Sequence, residues 1–274
     1  MLPKKLIAYR YDGTADGLLC CIFRCFSERE IPQALITPDS VQMPLFPAIE
    51  IETIPGHAQR VAKGIGGKIG IQMLDMLEHS LLCELEGADL AALEMACLGF
   101  DVGGSVCEML TEPCVEKLNR ALKHAYGEAH LLTGFVRFRE ISGALIATIA
   151  PKNRALPLIE PHFCERFAEE TFMIYDEVHK EALIHRRGQA GIYPIEHYEP
   201  PPMEGPDAFI ASLWQQYFDA IAIKQRENPK CQRTHMPKRY WAHMVEMQPK
   251  VTDQAEKTLR GLRNDPAISS ETHP

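Results

Sequence analysis

Three groups of side chains in this 274-residue chain are of the right type to do chemistry. Asp12, His162 and Asp176 are candidate acids and bases for a hydrolase acting on nucleic acid or nucleosides, since hydrolysis needs a proton-exchanging group poised beside the reacting atom. Glu140 and Glu177 are further carboxylates of that kind. Asp12 precedes Gly13 at the end of a strand-like run, where a turn former is the ordinary role and a strand-end active-site carboxylate the alternative. Arg137, Lys152, Asn153, His162 and Arg166 make a second group, suited to an anion. Arginine offers a planar fork of donors, lysine a point charge, and asparagine a donor-acceptor pair that can read a base. His162 and Arg166 are four apart and share a helix face. Structural roles stand beside these: Asn153 turning the chain after Pro151, His162 satisfying a backbone group, and Arg166 pairing with Glu165 or Glu169.

The third group is the stretch Lys224 to Lys250. It carries Lys224, Arg226, Lys230, Arg233, Lys238, Arg239 and Lys250 against only Glu227 and Glu246, in a chain whose net charge is -8. Cations interleaved with Tyr240 and Trp241 suit a phosphate backbone with unstacked bases beside it. Arg226, Asn228, Lys230, Lys238, Arg239, Tyr240 and Trp241 are the candidate nucleic-acid contacts here, with Arg137, Lys152, Asn153 and Arg166 from the group above. The alternative is a solvated helix face with Trp241 in the core.

Composition narrows the class. With 46% hydrophobic and 24% charged residues the chain is that of a folding globular protein. No run of about 18 uncharged apolar residues occurs, so we expect a cytoplasmic protein without membrane contact. Nine cysteines without paired CxxC spacing imply reduced thiols, no metal site and no cofactor. Cys20, Cys21 and Cys25 fall in an apolar helical pattern and read as small buried hydrophobes; the cluster spacing that Cys21 and Cys25 begin is not completed at Glu28. There is no HExxH, GxSxG or Walker loop, and no deaminase signature.

The elements that must position these groups give an α+β fold. Lys5 to Tyr11 reads as a strand, Asp12-Gly13 as a turn, and Thr14 as the cap of a helix reaching about Glu28. Five prolines between Pro32 and Pro55 imply short strands and loops. His57 to Tyr126 is helical, broken by the glycines of KGIGGKIG at 63–70, which lack the spacing of a phosphate loop. Past Gly134, FVRFREISGALIATIAP alternates as a hairpin turning at Ser-Gly; Leu156 to Phe167 is a helix, and Phe172 to Ile195 a second hairpin turning near Glu177 to Glu181. The proline cluster from Glu199 to Pro206 is a semi-rigid linker before a helix beginning at Asp207. The domain expectation is an N-terminal strand-helix and helical lobe at 1–126, antiparallel hairpins packed with helices and the basic segment at 127–250, and a fraying polar tail at 251–274.

YRYDGT at Tyr9 to Thr14, GFVRF at Gly134 to Phe138, PKN at Pro151 to Asn153, PHFCERF at Pro161 to Phe167, YDE at Tyr175 to Glu177, NPK and MPKRYW together resemble one bacterial family. It is the uncharacterised "probable DNA metabolism" family, whose members accompany a radical-SAM protein of DNA modification or repair, and whose C-terminal domain also occurs joined to uracil-DNA-glycosylase-like domains. The resemblance spans Leu6 to about Met247. It implies a DNA-related context; together with the basic-aromatic segment and the lack of a catalytic motif, the expectation is an accessory protein that binds DNA, single-stranded or damaged, and works with a radical-SAM partner. The resemblance carries no reaction over to any residue. The chain departs from the pattern after Asp176 and Glu177, where Val178, His179 and Lys180 displace the expected basic turn. Beside the accessory reading stand the hydrolase named above and a scaffold whose Tyr240-Trp241 region docks a protein and touches no nucleic acid.

Overall fold

A computed structural model describes residues 2–40, 44–203 and 205–249. Lys250 and the tail expected to fray at 251–274 lie outside the described residues, as does Glu204 of the linker. The chain divides into two compact units, Met1–Glu128 with Asn153–Ala155, and Ala129–Lys152 with Leu156–Pro274.

The first unit opens as the local signals dictate. Strand β1 (Lys4–Arg10) ends at Asp12-Gly13, and Thr14 caps helix α1 (Ala15–Glu28) by accepting the Gly17 amide. Gly13 takes a φ of 79°, the left-handed backbone that this tight turn requires. The chain returns in β2 (Ile31–Ile36), then crosses to β3 (Ala48–Glu50) on the other side of β1. The three strands are parallel, in the order β2-β1-β3. Two helices, α2 (Pro55–Lys68) and α3 (Gln72–Ser80), lead to α4 (Ala88–Val102), whose apolar residues leave almost no polar face. Leu93, Met95 and Ala96 of α4 are fully enclosed among Leu18, Ile22, Ile65 and Met73, each large side chain contributing about 1.5–3 kcal/mol of burial. The stretch Ala88–Glu108 is long and apolar enough to cross a membrane by composition, but over half of it is buried in this core. Cys20, Cys21 and Cys25 are buried there as the helical pattern implies, and burial pushes the Cys21 thiol well up.

The glycine run at 63–70 does not break the helix as expected. Gly64, Gly66 and Gly67 lie inside α2, and the chain turns only at Gly70, where φ is 129°. Burial of Ala58, Val61 and Ile65 on one face outweighs the roughly 1 kcal/mol that each interior glycine costs.

Helix α5 (Pro113–Phe135) is longer than the sequence suggests, because Ala125, Ala129 and Leu132 continue its buried stripe past Tyr126. Val136 to Phe138 are consequently irregular, and the first strand of the second unit is β4 (Arg139–Ile141). It turns at Ser142-Gly143 into β5 (Ala144–Ile149), and α6 (Leu156–Arg166) leads to β6 (Phe172–Asp176). The lobe is not purely antiparallel: β5 and β6 pair in parallel, as a strand-helix-strand crossover demands. Nor is Phe172 to Ile195 one hairpin. Beyond β7 (Glu181–Arg186) a turn at Arg187-Gly188 adds β8 (Gln189–Pro194), giving a five-stranded sheet in the order β4-β5-β6-β7-β8. Phe138 meets Phe163, Phe167 and Phe172 edge to face beside this sheet, and Phe167 meets Phe172 in the same way. Helices α7 (Gly205–Ile221) and α8 (Pro229–His235) follow, with short 3-10 turns at Lys224–Arg226, Lys238–His243 and Val245–Met247.

Asn153 ties the first unit together. Its backbone and side-chain amides donate to Glu128 Oε2 at 2.8 and 2.6 Å, its side-chain carbonyl accepts the Glu84 amide at 3.0 Å, and His124 Nδ1 lies 3.1 Å from Nδ2. Asn153→Ala leaves the buried Glu128 carboxylate short of a donor and is expected to cost about 2 kcal/mol in urea unfolding. Arg154→Ala, whose partner Asp39 is exposed, is expected to move the midpoint little. Equal effects would show that Asn153 is not the tie.

Candidate functional sites

Parallel strands place their following loops at one edge, and a cavity of about 560 Å³ lies at the carboxyl ends of β1, β2 and β3. Asp12, Thr37, Ser40, Glu50 and Thr53 line it. Asp12 Oδ1 accepts from the Thr14 amide at 2.9 Å and the Thr14 hydroxyl at 2.7 Å, and Oδ2 accepts from Thr53 at 2.7 Å. Partial burial raises its pKa, but these donors outweigh burial and hold the carboxyl below its usual range. Arg10 is spent on Glu50 at 2.6 Å. The arrangement is a fixed anion among hydroxyls. A carboxylate so well satisfied is a poor proton carrier at neutral pH.

The second unit holds a larger cavity, about 1020 Å³, between the β4-β5 hairpin and α7. Trp214 and Phe138 supply its aromatic walls, and Arg137 and Arg139 lie at its side. Both arginines are already committed. Arg137 Nη2 donates to Glu246 Oε1 at 2.6 Å and Nε to the same carboxylate at 3.2 Å, while Nη1 donates to the Gly134 and Val136 carbonyls. Trp214 Nε1 donates to the other Glu246 oxygen at 3.1 Å, and the Arg137 guanidinium lies 5.8 Å from the Trp214 ring. Arg139 is held by Asp207 and by the Pro201 and Pro202 carbonyls. Arg137 therefore has little left for a phosphate, contrary to its expected role. It braces a tryptophan instead.

In the basic segment the structure separates cations from rings. Lys224, Arg226, Lys230, Arg233 and Lys238 are exposed, and none has a carboxylate partner among the described residues. Asn228 is consumed as the cap of α8, accepting the Cys231 amide at 3.0 Å. Tyr240 is buried, its ring 5.5 Å from that of Phe135, with the Arg239 guanidinium over it at 4.6 Å. It cannot be a base platform. Trp241 is half-buried, with its indole N–H given to Met236 and Lys238 over its ring at 5.6 Å.

The remaining candidates are divided between the two units. Asn153 is 1% exposed and belongs to the first unit, with its amide fully used. Lys152 is exposed; His162 and Arg166 are exposed one turn apart on α6, beside Phe163 and Phe167. Asp176 is completely buried: Oδ1 accepts the Val178 and His179 amides, and Oδ2 meets His179 Nδ1 at 2.7 Å. It braces the β6-β7 turn. Asp176, His179 and Glu181 have ligand atoms within 4.8 Å of one another, the one such group among the described residues that could hold an ion. Asp12 lies in one unit and His162 and Asp176 in the other, and each of the two carboxylates is satisfied locally. Sequence reasoning missed Trp214 and Glu246 as site residues. The one signal is that Glu246 is one of only two acids in a basic run, where a cation is close at hand.

The chain belongs to the family described as Domain of unknown function (DUF4130), whose family model matches residues 86–246. No curated protein matches the chain.

The Glu246 clasp makes a pH prediction. Burial raises the Glu246 pKa, but the Arg137 hydrogen bonds and charge, with the Trp214 N–H, bring it below the ordinary glutamate value. A carboxyl depressed on folding stabilises the fold above its unfolded pKa, and that contribution is lost as pH falls through the folded value. Stability of the second unit should therefore fall on acidification below the usual glutamate range. Glu246→Gln should lower stability at pH 7 and flatten this acid limb in urea midpoints taken from pH 7 to 3; an unchanged limb would remove Glu246 as its source.

Proposed function

We propose that this member of the domain-of-unknown-function family holds a nucleic-acid strand, DNA in single-stranded or damaged form, for a partner enzyme that carries out the chemistry. One observation carries the proposal: Lys224, Arg226, Lys230, Arg233 and Lys238 are exposed and have no acidic partner among the described residues, in a chain whose overall charge is -8. Cations left uncompensated on an acidic body attract polyanions selectively to one face, and each neutralised phosphate releases counterions. The DNA setting and the radical-SAM identity of the partner rest on the sequence resemblance. A hydrolase built on Asp12, His162 and Asp176 is not proposed, since neither carboxylate is poised for proton transfer.

A specific observation favours protein docking on the same unit. Helix α7 turns Ala211 and Gln215 inward and leaves Phe209, Leu213, Tyr217 and Ile221 exposed at four-residue spacing. That stripe, rather than the buried Tyr240, is the surface on which a partner enzyme would sit.

Anisotropy titration with labelled single-stranded DNA across a salt series tests the proposal. Binding should weaken steeply with salt, and neutralising Lys224, Arg226, Lys230 and Arg233 together to Gln should lower the log-log salt slope by about 3, roughly 0.7 for each phosphate that no longer meets a cation. Absence of salt-sensitive binding, with or without the partner, would overturn it.

A further inference from the structure

We infer that the cavity between the β4-β5 hairpin and α7 is a pocket for one unstacked nucleobase bearing an exocyclic amino group. The inference rests on the strand-holding function proposed above and deepens it. At about 1020 Å³ the cavity has the size of a small-molecule site and accepts a base with its sugar. Its two aromatic walls are immobilised. Trp214 is fixed by its N–H to Glu246 and by the Arg137 guanidinium beside its ring. Phe138 is locked by edge contacts to Phe163, Phe167 and Phe172. Rigid rings lose little entropy on stacking a base, and such stacking contributes about 1–3 kcal/mol.

Charge at the cavity selects which part of a nucleotide enters. Arg137 and Arg139 are neutralised by Glu246 and Asp207, so the interior offers a phosphate no free cation among the described residues. Glu140 and Ser142, both on the hairpin and exposed, are lining groups without a partner among the described residues. A carboxylate repels phosphate and accepts N–H. It therefore suits the amino groups of cytosine, adenine or guanine and disfavours thymine and uracil, whose one imino N–H is flanked by carbonyl oxygens. The phosphates stay outside on Lys224 to Lys238. The two features are linked within this unit: Glu246 sits five residues beyond Trp241 and anchors Trp214, and Tyr240 packs on Phe135, next to the lining residue Gly134.

The test uses the full chain and an all-thymine oligonucleotide, alone or with one central cytosine, adenine or guanine. The wild type should favour the substituted strands by about tenfold, a preference worth one good hydrogen-bonded base contact. Trp214→Ala and Glu140→Ala should each remove the preference, and Glu140→Ala should leave the salt slope unchanged; Glu140 is exposed, so its variant is expected to fold normally. Salt-sensitive binding without any preference would overturn the pocket and leave strand holding intact. A preference that survives both variants would also overturn it, assigning the cavity to another occupant such as an apolar segment of the partner. Loss of all salt-sensitive binding in the wild type would overturn both.

Discussion

The buried Glu246 carboxylate holds the C-terminal segment of the second unit in place. The Glu246 side chain is 2% exposed, and an unpaired charge at that depth costs several kcal/mol. Three N–H groups offset the cost: two from Arg137 and one from Trp214. Because these donors come from the segment before β4 and from α7, the one side chain fastens the C-terminal segment to both. Gln215 of α7 adds to the clasp, donating to the Val245 and Gln248 carbonyls. The stretch from Ile223 to Gln248 has only short helical turns and little apolar burial, so few anchors fix its cations where they are.

The same residue types consequently do two jobs. Arg137 and Arg139 have planar forks suited to bidentate pairing, and both spend them on protein carboxylates and carbonyls. Lys224, Lys230 and Lys238 are flexible point charges at the surface, where a polyanion can reach them. Counting basic residues along the sequence merges these classes. Only the position of Glu246 and Asp207 separates arginines that build the fold from lysines left to bind.

What the sequence disclosed follows the range of the forces involved. The turn at Asp12-Gly13 and the Thr14 cap are local chemistry, so β1 and α1 were legible nearly to the residue. Leu156 to Arg166 and the Ser142-Gly143 turn were legible for the same reason. The glycines inside α2 were misread because packing against α1 and α4, which no local rule reports, outweighs their propensity. Strand β8 was missed because Gln189 to Pro194 lacks the apolar alternation of a half-buried strand; four of its six residues are exposed and it forms the sheet edge. At the site, the exposed cations could be read from charge alone. The roles of Arg137 and Asn153 could not, since their partners Glu246 and Glu128 are far away in sequence.

Asp12 shows how a strand-end carboxylate can be conspicuous without being reactive. It follows β1 at the edge where parallel sheets collect ligands, beside the N-terminus of α1, whose dipole favours a negative charge. Yet Thr14 and Thr53 occupy three of its acceptor positions and join the β1-α1 turn to the loop after β3. A side chain at Gly17 would run into that carboxylate, so the first turn of α1 is shaped around it. The donors that fix Asp12 in place also stabilise its ionised form, and a base that is stable as an anion gains little by taking a proton. The more completely the first unit organises Asp12, the less it can serve as the general base that a hydrolase would require.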